Sequence, residues 1–207
     1  MGSDLTRLYL LRHGETENHR GIFKYNGHND VDVTEEGERQ LAAQAERLKD
    51  LHFKAVYSSD LLRARKGAQA VAAKHGLEVR PDERLKEIHA GRWEGLSYEE
   101  VIQCYPGEAE KRFNDIVNYR IPGGGENLLD VQKRAIEAID EIARRHRGEE
   151  IAIVAHGGTN RIILSSALSL PLENLLKMEQ DFGCLNIIDY YNGAAVVKRM
   201  NMAPWFA

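Results

Sequence analysis

Leu8-Tyr9-Leu10-Leu11-Arg12-His13-Gly14-Glu15-Thr16 is an apolar run that ends abruptly in a cation, an imidazole and a glycine. It reads as a buried central strand, because strands covered on both faces are apolar without alternation. Its carboxyl end delivers Arg12 and His13 into the crevice where open α/β sheets bind ligands. An isolated Arg-His-Gly carries little weight, since a histidine at a strand end is more often structural. The weight comes from a second stretch of the same design, Ile151-Ala152-Ile153-Val154-Ala155 followed by His156-Gly157-Gly158. A third, Phe53-Lys54-Ala55-Val56-Tyr57, runs into Ser58-Ser59-Asp60, which starts a helix with Arg63 in its first turn. If the three strands are neighbours, Arg12, His13, Arg63 and His156 converge. With the N–H groups of a helix over 160–168 they form an anion pocket. Two guanidiniums suit a tetrahedral phosphate. Glu87 lies on a loop after a short strand over 77–80, where a carboxyl group held near the pocket can serve as a proton donor.

Around these stretches, strand patterns alternate with amphipathic helices. Thr34 before Glu35 and Glu36 marks a helix start, and Leu41, Ala45 and Leu48 give that helix one apolar face. Val131, Ala135, Ile139 and Ile142 do the same for a long helix over 128–147. Ser97 and Glu100 form a capping box, and Asn192-Gly193 joins the last two strands as a hairpin. The expected fold is α/β, a three-layer α/β/α sandwich with a mostly parallel central sheet and an antiparallel edge. Residues 1–207 are expected to form a single domain with a small helical cap inserted at about 95–120. The long polar loop over 17–33 and this cap are the places to look for substrate selection. Tyr25, Trp93, Tyr98, Phe113 and Tyr119 are the rings available there.

The chain has 207 residues, 43% hydrophobic and 29% charged, with a net charge of −4. A nucleic-acid binder would more commonly be basic, so neither DNA nor RNA is expected as partner. No run approaches the ~20 apolar residues of a membrane span. Cys104 and Cys184 lack metal-ligand spacing and are expected as reduced thiols in a cytoplasmic protein.

Arg12-His13-Gly14-Glu15-Thr16 resembles the signature of the histidine phosphatase, or phosphoglycerate-mutase-like, superfamily. The similarity extends to Tyr57-Ser58-Ser59-Asp60-Leu61-Leu62-Arg63-Ala64, to Glu87 with Gly91-Arg92-Trp93-Glu94-Gly95, to residues 122–126, and to Ala155-His156-Gly157-Gly158. The resemblance implies a phosphoric monoester hydrolase of the histidine acid phosphatase type, in the branch with the Arg-His-Gly motif. His13 is then the nucleophile that carries a transient phosphoryl group, and Glu87 protonates the leaving alkoxide. Arg12, Arg63 and His156 hold the phosphoryl oxygens, assisted by the Gly157 N–H. The family needs neither metal nor cofactor. The implied partner is a small phosphorylated metabolite, and the chain is a monomer or homodimer.

Four positions depart from the family pattern. His19 stands where Asn is usual, so Asn18 is expected to take over that contact. Asn26-Gly27 replaces Gln-Gly or Thr-Gly, and Gly27 is retained as a substrate-binding position. Gly67 and Asn127 replace Thr and Ser. Within the family, the compact length, Trp93-Glu94-Gly95 and Asp181-Phe182-Gly183-Cys184 resemble α-ribazole phosphatases of cobalamin synthesis and small broad-specificity phosphatases. Asp30-Val31-Asp32-Val33 and His89 instead resemble cofactor-dependent phosphoglycerate mutases. Mutases usually carry a longer insertion than residues 95–122 provide, which shields phosphohistidine from water. A catalytically silent phospholigand-binding protein is the reading of another class, since fold does not fix function.

Overall fold

In the computed structural model, which describes residues 5–19, 21–191 and 194–204, the opening apolar run is strand β1 (Thr6–Arg12). The other strands are β2 (Phe53–Ser58), β3 (Val79–Pro81), β4 (Glu150–Ala155), β5 (Leu185–Tyr191) and β6 (Ala194–Met202). They form one sheet of order β3-β2-β4-β1-β5-β6. β1 through β4 are parallel where they pair, and β5 and β6 add the antiparallel edge. The helices are α1 (Glu35–Leu48), α2 (Leu62–His75), α3 (Tyr98–Cys104), α4 (Glu108–Asn114), α5 (Leu128–Arg145) and α6 (Gly157–Ala167).

Strand alternation divides the core between the two faces. Leu8, Leu10, Ile151 and Ile153 pack with Val131, Ala135 and Ile139 of α5 and Ile162 of α6. Tyr9, Leu11, Ala152 and Val154 pack with Ala45 and Leu48 of α1 and with Ala68 and Val71 of α2. The result is the three-layer α/β/α sandwich. A third cluster, Ala90, Trp93, Val101 and Ile121, carries α3 and α4. Among the described residues, no helix is long and apolar enough to cross a membrane.

Local chemistry sets the boundaries. Thr34 Oγ1 accepts from Gly37 N at 3.0 Å and starts α1. Asn127 and Asp130 form a reciprocal capping box on α5, so Asn127 serves the cap as well as a serine would. Two helix starts differ from the sequence expectation. α2 begins at Leu62 rather than at 58–60, and Asp30 Oδ1, from the 17–33 loop, accepts from its first N–H at 2.6 Å. α6 begins at Gly157 rather than at residue 160, because His156 already has the extended conformation of an N-cap. The Asn192-Gly193 hairpin lies outside the described residues.

Gly67 is explained by packing. A Cβ there would stand 2.8 Å from Leu41 Cδ2 and 3.1 Å from Val154 Cγ1, so a larger residue would have to push the side chains of α1 and β4 aside. A tighter crossing sits beneath the first histidine. A Cβ on Gly14 would be 2.3 Å from Gly37 O, and one on Gly37 would be 2.3 Å from Glu15 O. Both obstacles are backbone and cannot rotate away. Gly37→Ala is therefore expected to destabilise the fold by about 1–3 kcal/mol, the usual cost of forced overpacking. It should also lower activity through displacement of the segment that carries His13. Thermal denaturation and turnover of the variant check this; wild-type values for both would refute the crossing as a constraint.

Candidate active site

The parallel pairing places Arg12 beside Ala155, so the two strands release His13 and His156 side by side. His13 N donates to Ala155 O at 3.1 Å, and the two ring centroids are 5.1 Å apart. His13 is 4% exposed and His156 fully buried. The His13 Nδ1 lies 2.7 Å from Gly14 O. A carbonyl only accepts, so Nδ1 carries the proton and Nε2 keeps its lone pair. Burial, reinforced by the Arg63 and Arg12 cations, holds the His13 pKa well below the usual 6.5. His156 is likewise depressed, by burial first and then by Arg63. Both rings are neutral near pH 7.

Two guanidiniums face them. Arg63, on the first turn of α2, is fully buried and donates to Gly27 O at 2.7 Å and to Asn29 O at 2.8 Å. Arg12 donates to Gln180 O at 2.6 Å, and its guanidinium carbon lies 3.8 Å from the Phe182 ring centre. Burial pushes the Arg12 pKa down to about 10, which leaves it charged at pH 7. Arg12 Nε, Arg63 Nε and both ring nitrogens of His156 are buried with no hydrogen-bond partner. Unpaired buried donors are costly, and such a set around one point forms a receptor for an anion.

Glu87 closes the ring at the start of α6. Its carboxylate accepts from Gly158 N at 3.0 Å, Thr159 N at 3.2 Å and Ile88 N at 2.9 Å. The positive end of the α6 dipole favours a negative group there. Arg134 of α5 fixes the loop that carries Glu87. It donates to Arg84 O, Lys86 O and Glu87 O at 2.7–2.9 Å and forms a bidentate pair with Glu126. His28 Nε2 also donates to Glu87 O, at 2.9 Å.

Arg12, His13, Arg63 and Glu87 line a cavity of about 370 Å³. Of the eight site residues named from the sequence, seven lie at this centre: Arg12, His13, Arg63, Glu87, Gly27 and Gly157 line the cavity, and His156 packs against His13. Gly27 has φ +48°, and a Cβ would meet Glu94 Oε1 at 2.6 Å; its carbonyl is what orients Arg63. Asn18 is placed elsewhere. Its side chain bonds to Asn26 and Thr16, and His19 lines the cavity instead, edge-on to Phe182 at 4.9 Å. Of the five candidate rings only Tyr25 lines the cavity, while Trp93 stacks on Tyr119 inside the third cluster.

Sequence reasoning missed Phe182, Arg112 and Arg161, which line the cavity, and Arg134 behind it. Phe182 sits in the quoted Asp181-Phe182-Gly183-Cys184 stretch, so a signal existed; the arginines had none beyond their charge. A more open groove of about 940 Å³, at the other end of β1 near Thr6 and Asp140, contains none of these residues. Among the described residues, no three His, Cys, Asp or Glu side chains are grouped as metal ligands.

The family described as the histidine phosphatase superfamily (branch 1) matches residues 8–203. Phosphoglycerate mutase-like protein 4 of Arabidopsis thaliana is 41% identical over 167 residues, 79% of this chain and 72% of that protein. The metal-independent phosphoserine phosphatase of the same plant is 39% identical over 167 residues, 78% of this chain and 68% of that protein. Among solved structures, the α-ribazole phosphatase of Shigella flexneri superposes with a TM-score of 0.85 at 28% identity. That match covers 94% of this chain and 96% of the other.

The depressed His13 pKa has a definite sign. On acidification the unfolded chain binds a proton near the ordinary 6.5 before folded His13 does, so stability falls as pH drops below 6.5 towards the folded value. Nitrogen-15 NMR of the histidine rings should show His13 as the neutral Nδ1–H form at pH 6.5. An imidazolium signal from His13 at that pH would overturn the assignment.

Proposed function

The chain belongs to the histidine phosphatase superfamily, and we propose that within it the protein is a metal-independent phosphomonoesterase working through a phosphohistidine on His13. The observation that carries this is the ring geometry. The Gly14 carbonyl holds the proton on Nδ1, so the Nε2 lone pair serves as nucleophile among Arg12, Arg63 and His156. Nε2 forms the bond to phosphorus as the ester P–O bond breaks, and the two guanidiniums stabilise charge on the oxygens as it develops. Glu87 enters this step protonated and supplies the proton that the departing oxygen takes up. In the second half, water attacks phosphorus, Glu87 takes its proton, and the P–N bond breaks to release phosphate and neutral His13. The Gly157 N–H adds a phosphate contact at the start of α6.

Among substrates, α-ribazole 5′-phosphate is the choice the sequence favours, and the superposed α-ribazole phosphatase supports it. The phosphoserine phosphatase relative, at higher identity, supports phosphoserine. Both are small phosphate esters. The decisive assay is phosphate release, with EDTA present, from a panel containing both compounds, 3-phosphoglycerate, sugar phosphates and p-nitrophenyl phosphate. Net release is expected. Isomerisation of 3-phosphoglycerate without release would establish a mutase, and ligand binding without any turnover would establish a silent binding protein.

Two variants test the roles. His13→Ala should lower turnover more than about 10³-fold and leave a folded protein, and near-native turnover would remove the nucleophile assignment. Glu87→Gln should slow alkyl phosphates at least about 10-fold more than p-nitrophenyl phosphate, whose leaving group needs little protonation. Equal losses on both would take Glu87 out of the donor role.

A further inference from the structure

The cavity holds more positive charge than the phosphoryl centre uses. Besides Arg12 and Arg63, three cations line it: Lys24, Arg112 and Arg161. Two of these have acidic neighbours of their own. Lys24 Nζ lies 3.8 Å from Glu100, and Arg161 lies 3.9 Å from Glu179 with its Nε donating to Met178 O at 2.8 Å. Arg112, on α4, differs. Among the described residues no carboxylate pairs with it, and its Nη1 is shielded from solvent without a hydrogen bond. Its neighbours are rings: the guanidinium lies 6.0 Å from the Trp93 ring centre, and Tyr25 and Tyr119 are the phenols beside it. A half-buried guanidinium on a cavity wall, with Nη1 shielded and unpaired, has the chemistry to pair a carboxylate.

Resting on the phosphomonoesterase reading, we propose that Arg112 is a specificity residue that binds a carboxylate on the substrate, so that the preferred substrates are phosphate esters with a second, carboxylate, charge. Ile116, Ile121 and Leu175 supply apolar wall in the same cavity, so the body between the two charged groups meets hydrocarbon. Arg112 does not touch the reacting phosphorus; it selects the molecule whose other end it pairs. Among the described residues folding gives Arg112 no acidic partner, and a bound carboxylate provides one.

The test uses ligand pairs that differ by one carboxylate: phosphoserine with phosphoethanolamine, and 4-carboxyphenyl phosphate with phenyl phosphate. Each is measured as a competitive inhibitor of p-nitrophenyl phosphate hydrolysis by wild type, Arg112→Met and Arg112→Lys, and as a substrate where it turns over. In wild type the carboxylated member of at least one pair should bind 10-fold or more tightly than its mate. That preference should vanish in Arg112→Met and return in part in Arg112→Lys, which keeps the charge and loses the fork. The change should appear in KM rather than kcat. Retention of the preference in Arg112→Met, or its absence from every pair in wild type, overturns the proposal. Should Arg112→Met fail to fold, an unchanged preference in folded Arg112→Lys overturns it equally. Failure of wild type to hydrolyse p-nitrophenyl phosphate at all would instead refute the phosphomonoesterase reading, and the two failures are thus distinct.

Discussion

The register of β1 against β4 is the constraint on which the site depends. Leu11 pairs with Val154 and Arg12 with Ala155, and the residue after each strand end is a histidine. A slip of one residue would turn every side chain of a strand to the opposite face. It would put Leu8 and Leu10 against α1 and α2 in place of Tyr9 and Leu11, in a core where all four are at most 5% exposed. The hydrophobic core therefore enforces the register, and the register sets two imidazoles 5.1 Å apart with no loop in between. The histidine pair takes its position from the sheet.

The same arrangement concentrates unfavourable electrostatics. Arg12 and Arg63 face two depressed histidines, and several donors remain unpaired. What holds the cations is mainly backbone: Gly27 O and Asn29 O for Arg63, Gln180 O for Arg12. Carbonyl dipoles fix a guanidinium's orientation without neutralising it, so the positive field survives for an incoming anion. Among the described residues Glu87 is the one acidic side chain lining the cavity, and it is docked on the N-terminus of α6, where its oxygens accept from N–H groups. The acid is thus kept close by without forming a salt bridge that would consume either arginine.

The division between what the sequence revealed and what it withheld follows from this. The strand ends were legible because apolar runs that stop in His-Gly carry both the element and the chemistry. The arginine in the first turn of α2 was legible for the same reason, and so was the sandwich, from alternating strand and helix patterns. Asn18 and His19 were not legible, because a polar loop has no periodicity to say which of two adjacent side chains turns inward. The Asn18–Asn26–Thr16 bonds decide it. Gly67 had no rationale until α1 and β4 closed on it. Arg134 and Arg112 carry no local motif; their contacts span distant segments, and only the assembled fold pairs one and leaves the other unpaired.

The two halves of the cavity are accordingly built from different material. The end that holds His13 and His156 is made of strand ends and helix starts, whose positions are fixed by a core shared with the whole sheet. The far wall is made of α4 and the 17–33 loop, which pack on the smaller third cluster, and of the 172–177 turn, whose Leu172 and Leu175 join the core on the α5 side of the sheet. A substitution at the first end disturbs sheet register and chemistry together; one at the second changes which molecule fits and leaves the chemistry standing. On the proposed reading, a chain of this construction keeps its reaction while its substrate changes, with the reaction set at the strand ends and the choice of substrate at α4.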